Sequence, residues 1–483
     1  MLHHDDELFI GGSWTPAATD RTIEVISPHT QDVLARVAAA GPADVDAAVA
    51  SARKAFDDGD WAHSSPTDRI NAVRRLGKLY AEHQADMAET ISAEMGAPIT
   101  FARRAQAGLP LSIMGAFTEI AEAFPWTEAR PGAHGPDIRL HRTPVGVVAA
   151  VVPWNMPQFL ISTKLIPALL AGCSVVLKPS PEAPLDALLL AELIEQAELP
   201  AGVVSVLPGD AETGHHLVTH PGVDKVSFTG STDAGRRVAT ACGVELKRLS
   251  LELGGKSAAI VLADADPATV ATGIRFASLS NSGQICNALT RILVPEHRSA
   301  EFVDALVAEI DTLAIGDPAD PSTQIGPLVT ERQQHRVRGY IESGVQQGAQ
   351  LVCGGTEMPD GIDHGWYVRP TLFSDADNSM RIAREEIFGP VLTVIPYGDE
   401  EEAVRIANDS PFGLAGSVWG ADTDRGLAIA SRIRAGTFGV NQGYTMDPFA
   451  PFGGVKSSGY GRELGREGID SYLETMSISI AQG

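Results

Sequence analysis

From residue 145 onward the chain repeats one rhythm: a short apolar run, a loop, then a longer stretch with helical spacing. Strand-length runs at 148–152, 174–178, 203–207 and 225–229 precede helix-patterned segments at 158–171, 184–197, 212–219 and 231–241. Strands alternating with helices predict β-α-β units and a parallel sheet. A second α/β block extends from 257–262 to about Asn441, with strand-like runs at 291–294, 351–353 and 391–395. Earlier residues read differently. Residues 7–40 suggest short strands and turns, including 8–14 and 22–26, and 44–109 is Ala-rich and helical, with one helix over 44–56 and at least two over 67–95. Between 126 and 143 a polar stretch with alternating Ile138, Leu140 and His141 predicts an extended hairpin suited to subunit contact. No internal repeat of fixed period is present.

Composition narrows the classes. The 483 residues are 44% hydrophobic and 20% charged, which is ordinary for a globular protein with a sizeable core. A net charge of -24 offers no basic field for nucleic acid or an anionic membrane, although backbone donors can still receive a phosphorylated cofactor. Four cysteines in so long a chain (Cys173, Cys242, Cys286, Cys353) are no disulfide framework, and a reducing cytoplasm is the compartment expected. The acidic start Met-Leu-His-His-Asp-Asp-Glu has no apolar centre, so no secretory leader is expected. His3 and His4 beside Asp5 and Asp6 read as a terminus rather than a metal site. The longest apolar stretch, 145–153, is of strand length and ends at Pro153, so no membrane span is expected.

One cysteine stands apart. Cys286 follows Ser278-Leu-Ser-Asn-Ser-Gly-Gln-Ile and precedes Asn287, a polar setting quite unlike the apolar one around Cys173. Such surroundings suit a thiol that meets a substrate. Glu252 lies between Leu251 and Leu253, ahead of a Gly pair. Flanking leucines remove water from a carboxylate and raise its pKa toward that of a usable base, whereas the plainer reading is a surface or helix-capping Glu. Asn155, in Pro153-Trp-Asn-Met-Pro157, follows an apolar strand end, where open α/β sheets bind their ligands.

Five motifs in register, Pro153-Trp-Asn-Met-Pro157, Phe228-Thr-Gly-Ser231, Leu251-Glu-Leu-Gly-Gly-Lys256, Gly283-Gln-Ile-Cys286 and Glu385-Glu-Ile-Phe-Gly-Pro390, resemble the aldehyde dehydrogenase superfamily. The resemblance continues through Pro451-Phe-Gly-Gly-Val-Lys-Ser-Ser-Gly459. It implies a dinucleotide-binding α/β domain (1–125 and 145–253), a catalytic α/β domain (254–454) and a β oligomerisation arm (126–144 and 455–483) giving a homodimer or homotetramer. It implies Cys286 as nucleophile, forming a thiohemiacetal and then a thioester. Glu252 would activate the water that releases the acid, and the Asn155 amide would support the oxyanion. For the cofactor it implies Trp154, Lys178, Ser180, Gly230, Ser231, Gly235, Leu253, Glu386 and Phe388, and no metal. Members that prefer NAD commonly carry Glu two residues after the Pro that follows this Lys; here the run is Lys178-Pro-Ser-Pro-Glu182, with Pro181 in that place. Loss of that carboxylate removes a ribose hydrogen bond and a repulsion against a 2′-phosphate, so NAD is expected with NADP possible. No Arg is evident beside Lys178 in the sequence. Met156, Phe159, Thr163, Ile285, Asn287 and Phe449, in the segment 444–449, are the substrate-pocket candidates, and their apolar character suggests a hydrophobic or aromatic aldehyde. Two alternatives are a coenzyme A-acylating semialdehyde dehydrogenase, which Glu252 disfavours, and a non-catalytic structural relative, which has no need of Cys286, Glu252 and Asn155 together.

Overall fold

Two large sheets organise the chain in the computed structural model, which describes residues 4, 6–133 and 137–481. The first has eight strands in the spatial order Gly459–Tyr460, Arg248–Glu252, Lys225–Thr229, Val147–Val151, Ser174–Lys178, Val204–Val206, Glu7–Ile10, Ser13–Pro16. Its five central strands are parallel, and antiparallel pairs close both edges. The second has seven strands, in the order Gln350–Cys353, Thr371–Ser374, Val391–Tyr397, Arg291–Pro295, Ala258–Val261, Ala415–Trp419, Thr437–Val440. It is parallel except for its first pair. Strands such as Val147–Val151, Ser174–Lys178 and Ala258–Val261 are buried at every residue, as their unbroken apolar runs require.

Helices Pro66–Glu82, Gln84–Met95 and Leu109–Ala123 cover one face of the first sheet together with Pro157–Ala171. Pro157–Ala171 is buried along its whole length, consistent with a helix that is apolar on every side. Gln158 and Lys164 are exceptions within it, and a polar group so placed needs a specific partner.

A third sheet joins the two segments expected to pair: Leu473–Ile480 runs antiparallel to Asp137–Pro144, which pairs with Thr127–Arg130. Residues 134–136 of the expected hairpin lie outside the described residues, as do Met1 to His3, Asp5 and the last two residues. His4 stacks on Trp14, ring centroids 4.2 Å apart. The arm was expected to begin again at 455, but the chain does not leave the first sheet there. Gly459–Tyr460 pairs with Leu251 and Glu252, and Gly465–Asp470 packs on helices Leu109–Ala123 and Pro157–Ala171. Gly459 makes this approach possible: with φ of +112°, any Cβ there would lie 2.0 Å from the Leu251 carbonyl oxygen. Among the described residues no helix is long and apolar enough to cross a membrane, and no cluster of His, Cys, Asp or Glu could hold a metal ion.

Candidate active site

The two sheets meet with opposite polarity. Strands Val147–Val151, Ser174–Lys178, Lys225–Thr229 and Arg248–Glu252 are neighbours in the first sheet, and their C-terminal ends lead into 152–157, 178–182, 230–235 and 252–256. Strands Ala258–Val261, Arg291–Pro295 and Val391–Tyr397 are neighbours in the second, and the segments entering their N-terminal ends carry Glu252 to Lys256, Cys286 and Glu386. All five sequence motifs therefore converge on one crevice. The Gly pair explains how closely. A Cβ on Gly254 would lie 2.2 Å from a Glu386 carboxylate oxygen, and one on Gly255 would lie 2.6 Å from the Cys286 carbonyl oxygen.

Cys286 is presented by an unusual backbone. Asn281, Ser282 and Gly283 are all left-handed, with φ of 51°, 57° and 74°. Side chains over-determine the turn: Asn281 Nδ2 donates to the Asn155 carbonyl at 2.9 Å, Ser282 Oγ to the Gly326 carbonyl at 2.8 Å, and the Val329 N–H to Gln284 Oε1 at 3.1 Å. Asn155 is fixed from both ends. Its carbonyl also accepts from Gln106 Nε2 at 2.9 Å, and its own Nδ2 donates to the Gln284 carbonyl at 3.0 Å, two residues before Cys286. Gln106 reaches it from a π-helical turn, Ala102–Gln106, an irregularity often found at functional sites. Cys286 is partly exposed, yet burial and the nearby carboxyls of Glu386 and Glu252 push its thiol up to about 12. Both effects favour the thiol over the thiolate.

Glu252 is buried, 4% exposed, which overturns the surface reading. Neither carboxylate oxygen has a hydrogen-bond partner, and Oε1 lies against Gly453. Burial first, then the like charge of Glu463, raise its pKa well above the carboxylate range, while Lys164 and Arg462 pull the other way. Behind it lies a polar cluster absent from the sequence reading. Lys164 Nζ donates to Glu463 Oε1 at 2.5 Å and to Thr229 Oγ1 at 2.7 Å, and Thr229 is the register partner of Glu252 on the adjacent strand. A lone lysine in an otherwise apolar helix was the available signal for Lys164; Glu463 gave none.

Glu386 accepts from the Gly255 N–H at 3.0 Å, and burial raises it to about 7. Phe388, at φ of +63°, meets Trp154 edge-to-face with ring centroids 5.4 Å apart. Leu253 packs on Gly235, where a Cβ would lie 2.5 Å from it, and Gly230 packs as tightly on Phe228. Ser231 caps helix Thr232–Val244 by accepting from the Ala234 N–H. This strand–loop–helix start offers backbone N–H groups to a diphosphate. Lys178 is buried with its stem on Gly214, and burial lowers it to about 8. Ser180 donates to Glu182, and Glu182 pairs with Arg332 at 3.1 Å. Arg332 corrects the expectation that no Arg lies here: it comes from helix Glu331–Gln346, 150 residues further along the chain.

Of the pocket candidates, Phe159 is buried and Met156, Ile285 and Asn287 are partly exposed. Phe449 is half exposed, and within its segment it is Tyr444 and Met446 that pack, like Met156 and Cys286, on the large apolar core of the first sheet. Tyr444 lies against buried Phe452, 6.1 Å between ring centroids. Thr163 departs from expectation. It is 1% exposed and its hydroxyl is 2.8 Å from Glu463 Oε2, so it faces the polar cluster rather than an open pocket.

The chain was compared with known proteins. Residues 14–478 match the model of the aldehyde dehydrogenase family. Geranial dehydrogenase of Castellaniella defragrans is 45% identical over 479 residues, 99% of either chain. The 3-succinoylsemialdehyde-pyridine dehydrogenase of a Pseudomonas species is 41% identical, again over 99% of each. Among solved structures, an aldehyde dehydrogenase of Mycobacterium tuberculosis complexed with NAD+ is 47% identical and superposes with a TM-score of 0.97 over 99% of this chain and 98% of that one. A mutant of aldehyde dehydrogenase C from Pseudomonas syringae, complexed with NAD+ and octanal, is 43% identical with a TM-score of 0.95, covering 99% and 97%. The chain belongs to the aldehyde dehydrogenase family and is an NAD(P)-dependent aldehyde dehydrogenase.

Proposed function

We propose that the chain oxidises a hydrophobic aldehyde to its carboxylic acid, with Cys286 as nucleophile, Asn155 as oxyanion donor and Glu252 as base. Once the Cys286 thiol has given its proton to water, the sulfur adds to the carbonyl carbon, and the oxygen that gains charge is received by Asn155 Nδ2 and the Cys286 backbone N–H. A donor of this kind is worth roughly 3 kcal/mol of barrier. When bound, NAD(P)+ supplies the acceptor for the hydride that leaves the tetrahedral carbon. The resulting thioester is opened by water, whose proton Glu252 takes. Burial without a fixed partner suits Glu252 to that task, because a raised proton affinity makes it a base near neutrality.

Cofactor residues follow from the same crevice. Gly230, Ser231 and Gly235 at the helix start would receive the diphosphate, Glu386, Phe388, Trp154 and Leu253 would hold the nicotinamide end, and Lys178 and Ser180 the adenosine ribose. NAD is the preferred form: Glu182, though one residue later than usual, keeps a carboxylate next to Ser180. The observation that carries the substrate class is that Met156, Tyr444, Met446 and Cys286 all pack, partly buried, on the one apolar core that contains Phe159 and Phe452. Octanal, with which one relative is complexed, and geranial, in another's name, are of that class. Leu473–Ile480 exposes Met476, Ile478 and Ile480 on alternate positions of an edge strand, which supports a homodimer or homotetramer joined through the arm. Four unpaired cysteines support a cytoplasmic location.

The test is initial-rate formation of reduced cofactor with straight-chain, terpenoid and aromatic aldehydes and a carboxylated semialdehyde, with NAD and NADP separately. Higher kcat/KM for the apolar aldehydes, with NAD ahead and free acid as product, is expected. Preference for the carboxylated substrate, or acyl transfer only when coenzyme A is added, would refute the reading.

A further inference from the structure

Thr163, Lys164 and Glu463 form a buried group that the reaction as described leaves without work. Thr163 Oγ1 has two acceptors within reach, Glu463 Oε2 at 2.8 Å and the Leu160 carbonyl at 3.1 Å, but only one proton to give. With Glu463 ionised, the hydroxyl donates to the carboxylate. Without that donor the Glu463 oxygen would be left unpaired in a dry place, which is costly.

The surroundings make that choice consequential. Glu463 faces Lys164 from helix Pro157–Ala171, Glu252 from strand Arg248–Glu252, Lys225 from strand Lys225–Thr229, and Tyr472 just ahead of the C-terminal strand. Arg462 acts on Glu252 from the residue before Glu463. Both acids thus draw on Lys164, and where Glu463 sits sets how much of that cation's field reaches Glu252. We propose that Thr163 is a positioning residue for thioester hydrolysis: its hydroxyl holds Glu463 on Lys164 and so keeps Glu252 ready to act as base. This rests on the proposed role of Glu252, and it removes Thr163 from the substrate pocket.

The test is Thr163→Val, which keeps the shape and deletes the hydroxyl, beside Thr163→Ser, which restores it. Without the donor, Glu463 is held less firmly on Lys164 and can turn toward Glu252, so Glu252 gives up its proton at higher pH. The acid limb of the kcat profile should move up by up to about one pH unit, and kcat at pH 7 should fall up to about tenfold. The first-turnover burst of reduced cofactor and KM across the aldehyde series should be unchanged, which also shows that the variant is folded. Thr163→Ser should return the profile to that of the parent. An unmoved acid limb with altered KM or chain-length preference overturns the proposal and makes Thr163 a pocket wall. A Thr163→Ser enzyme as impaired as Thr163→Val also overturns it. A parent enzyme that makes no reduced cofactor from any aldehyde defeats the underlying reading instead, and is told apart by that.

Discussion

At the scale of single residues, the candidate nucleophile and base have surroundings that push both toward their neutral forms. Cys286 is pushed up by burial and two acids, and Glu252 by burial and Glu463. If Glu252 serves only the hydrolytic half, Glu252→Gln should still release one equivalent of reduced cofactor in the first turnover and then stall, with acid release slowed by roughly 100-fold or more. Asn155→Ala should differ in kind: it weakens the oxyanion in both halves, so burst rate and turnover should fall together by about 100-fold. Rapid-mixing absorbance of the reduced cofactor separates the two patterns; a Glu252→Gln enzyme without a burst would move that residue to thiol activation. Cys286 stood out locally, as a thiol in a polar setting, whereas Glu252 and Asn155 were picked out by the motifs of the resemblance, the plainer local reading of Glu252 being a surface acid. Glu463, Arg332 and the inward turn of Thr163 were not legible. Their partners lie 299, 150 and 300 residues away, and no local pattern encodes such pairs.

At the scale of elements, strand and helix positions were largely readable from periodicity, because the central strands are apolar runs and the helices between them keep an apolar stripe. What periodicity could not give was the turn before Cys286. Three consecutive left-handed residues, two of them not glycine, are costly and are held here by side chains from Asn155, Gln284 and Asn281. Only Gly283 is irreplaceable in that turn. A Cβ there would lie 2.3 Å from the Gly389 carbonyl oxygen and 2.8 Å from the Pro390 nitrogen, both of them backbone that leads into strand Val391–Tyr397. Gly283→Ala should therefore destabilise the protein by about 1–3 kcal/mol. It should also cost activity out of proportion, about 100-fold in kcat/KM, because displacing the thiol by about 1 Å has that effect. Denaturant midpoints and initial rates on the same preparation check both. Full activity in this variant would mean that the turn does not position Cys286. The second misjudged element, 455–472, has a similar cause: Gly459 lets a two-residue strand close the first sheet, and nothing in so short a segment reads as a strand.

At the scale of the whole molecule, the helical layer over the first sheet is tied together by acids rather than by apolar contact alone. Glu94, at the end of helix Gln84–Met95, accepts from the Leu185 and Asp186 N–H groups at 2.8 and 3.0 Å and so caps helix Leu185–Gln196. Asp186 in turn accepts from Gln158 Nε2 at 2.7 Å, on helix Pro157–Ala171, and the Tyr80 hydroxyl lies within its field. Both carboxyls are fully buried, and burial is the main reason that Asp186 is raised to about 7 and Glu94 well above its ordinary value. In the unfolded chain both ionise near pH 4. Their contribution to stability is therefore complete below pH 4 and is lost as pH rises, with Asp186 titrating near 7, because over that range the folded state binds more protons than the unfolded one. Each retained proton makes stability fall by about 1.4 kcal/mol per pH unit. Many surface carboxylates paired with arginine act in the opposite direction, so the dyad is visible only by difference. Asp186→Asn keeps a neutral, hydrogen-bonding group in place and should remove one proton's worth of that slope, making the variant progressively more stable relative to the parent from pH 5 to pH 7. Denaturation midpoints measured at half-unit steps give the difference curve directly. A flat difference would mean that Asp186 is ionised in the folded protein at acid pH, with Glu94 holding the proton of the pair.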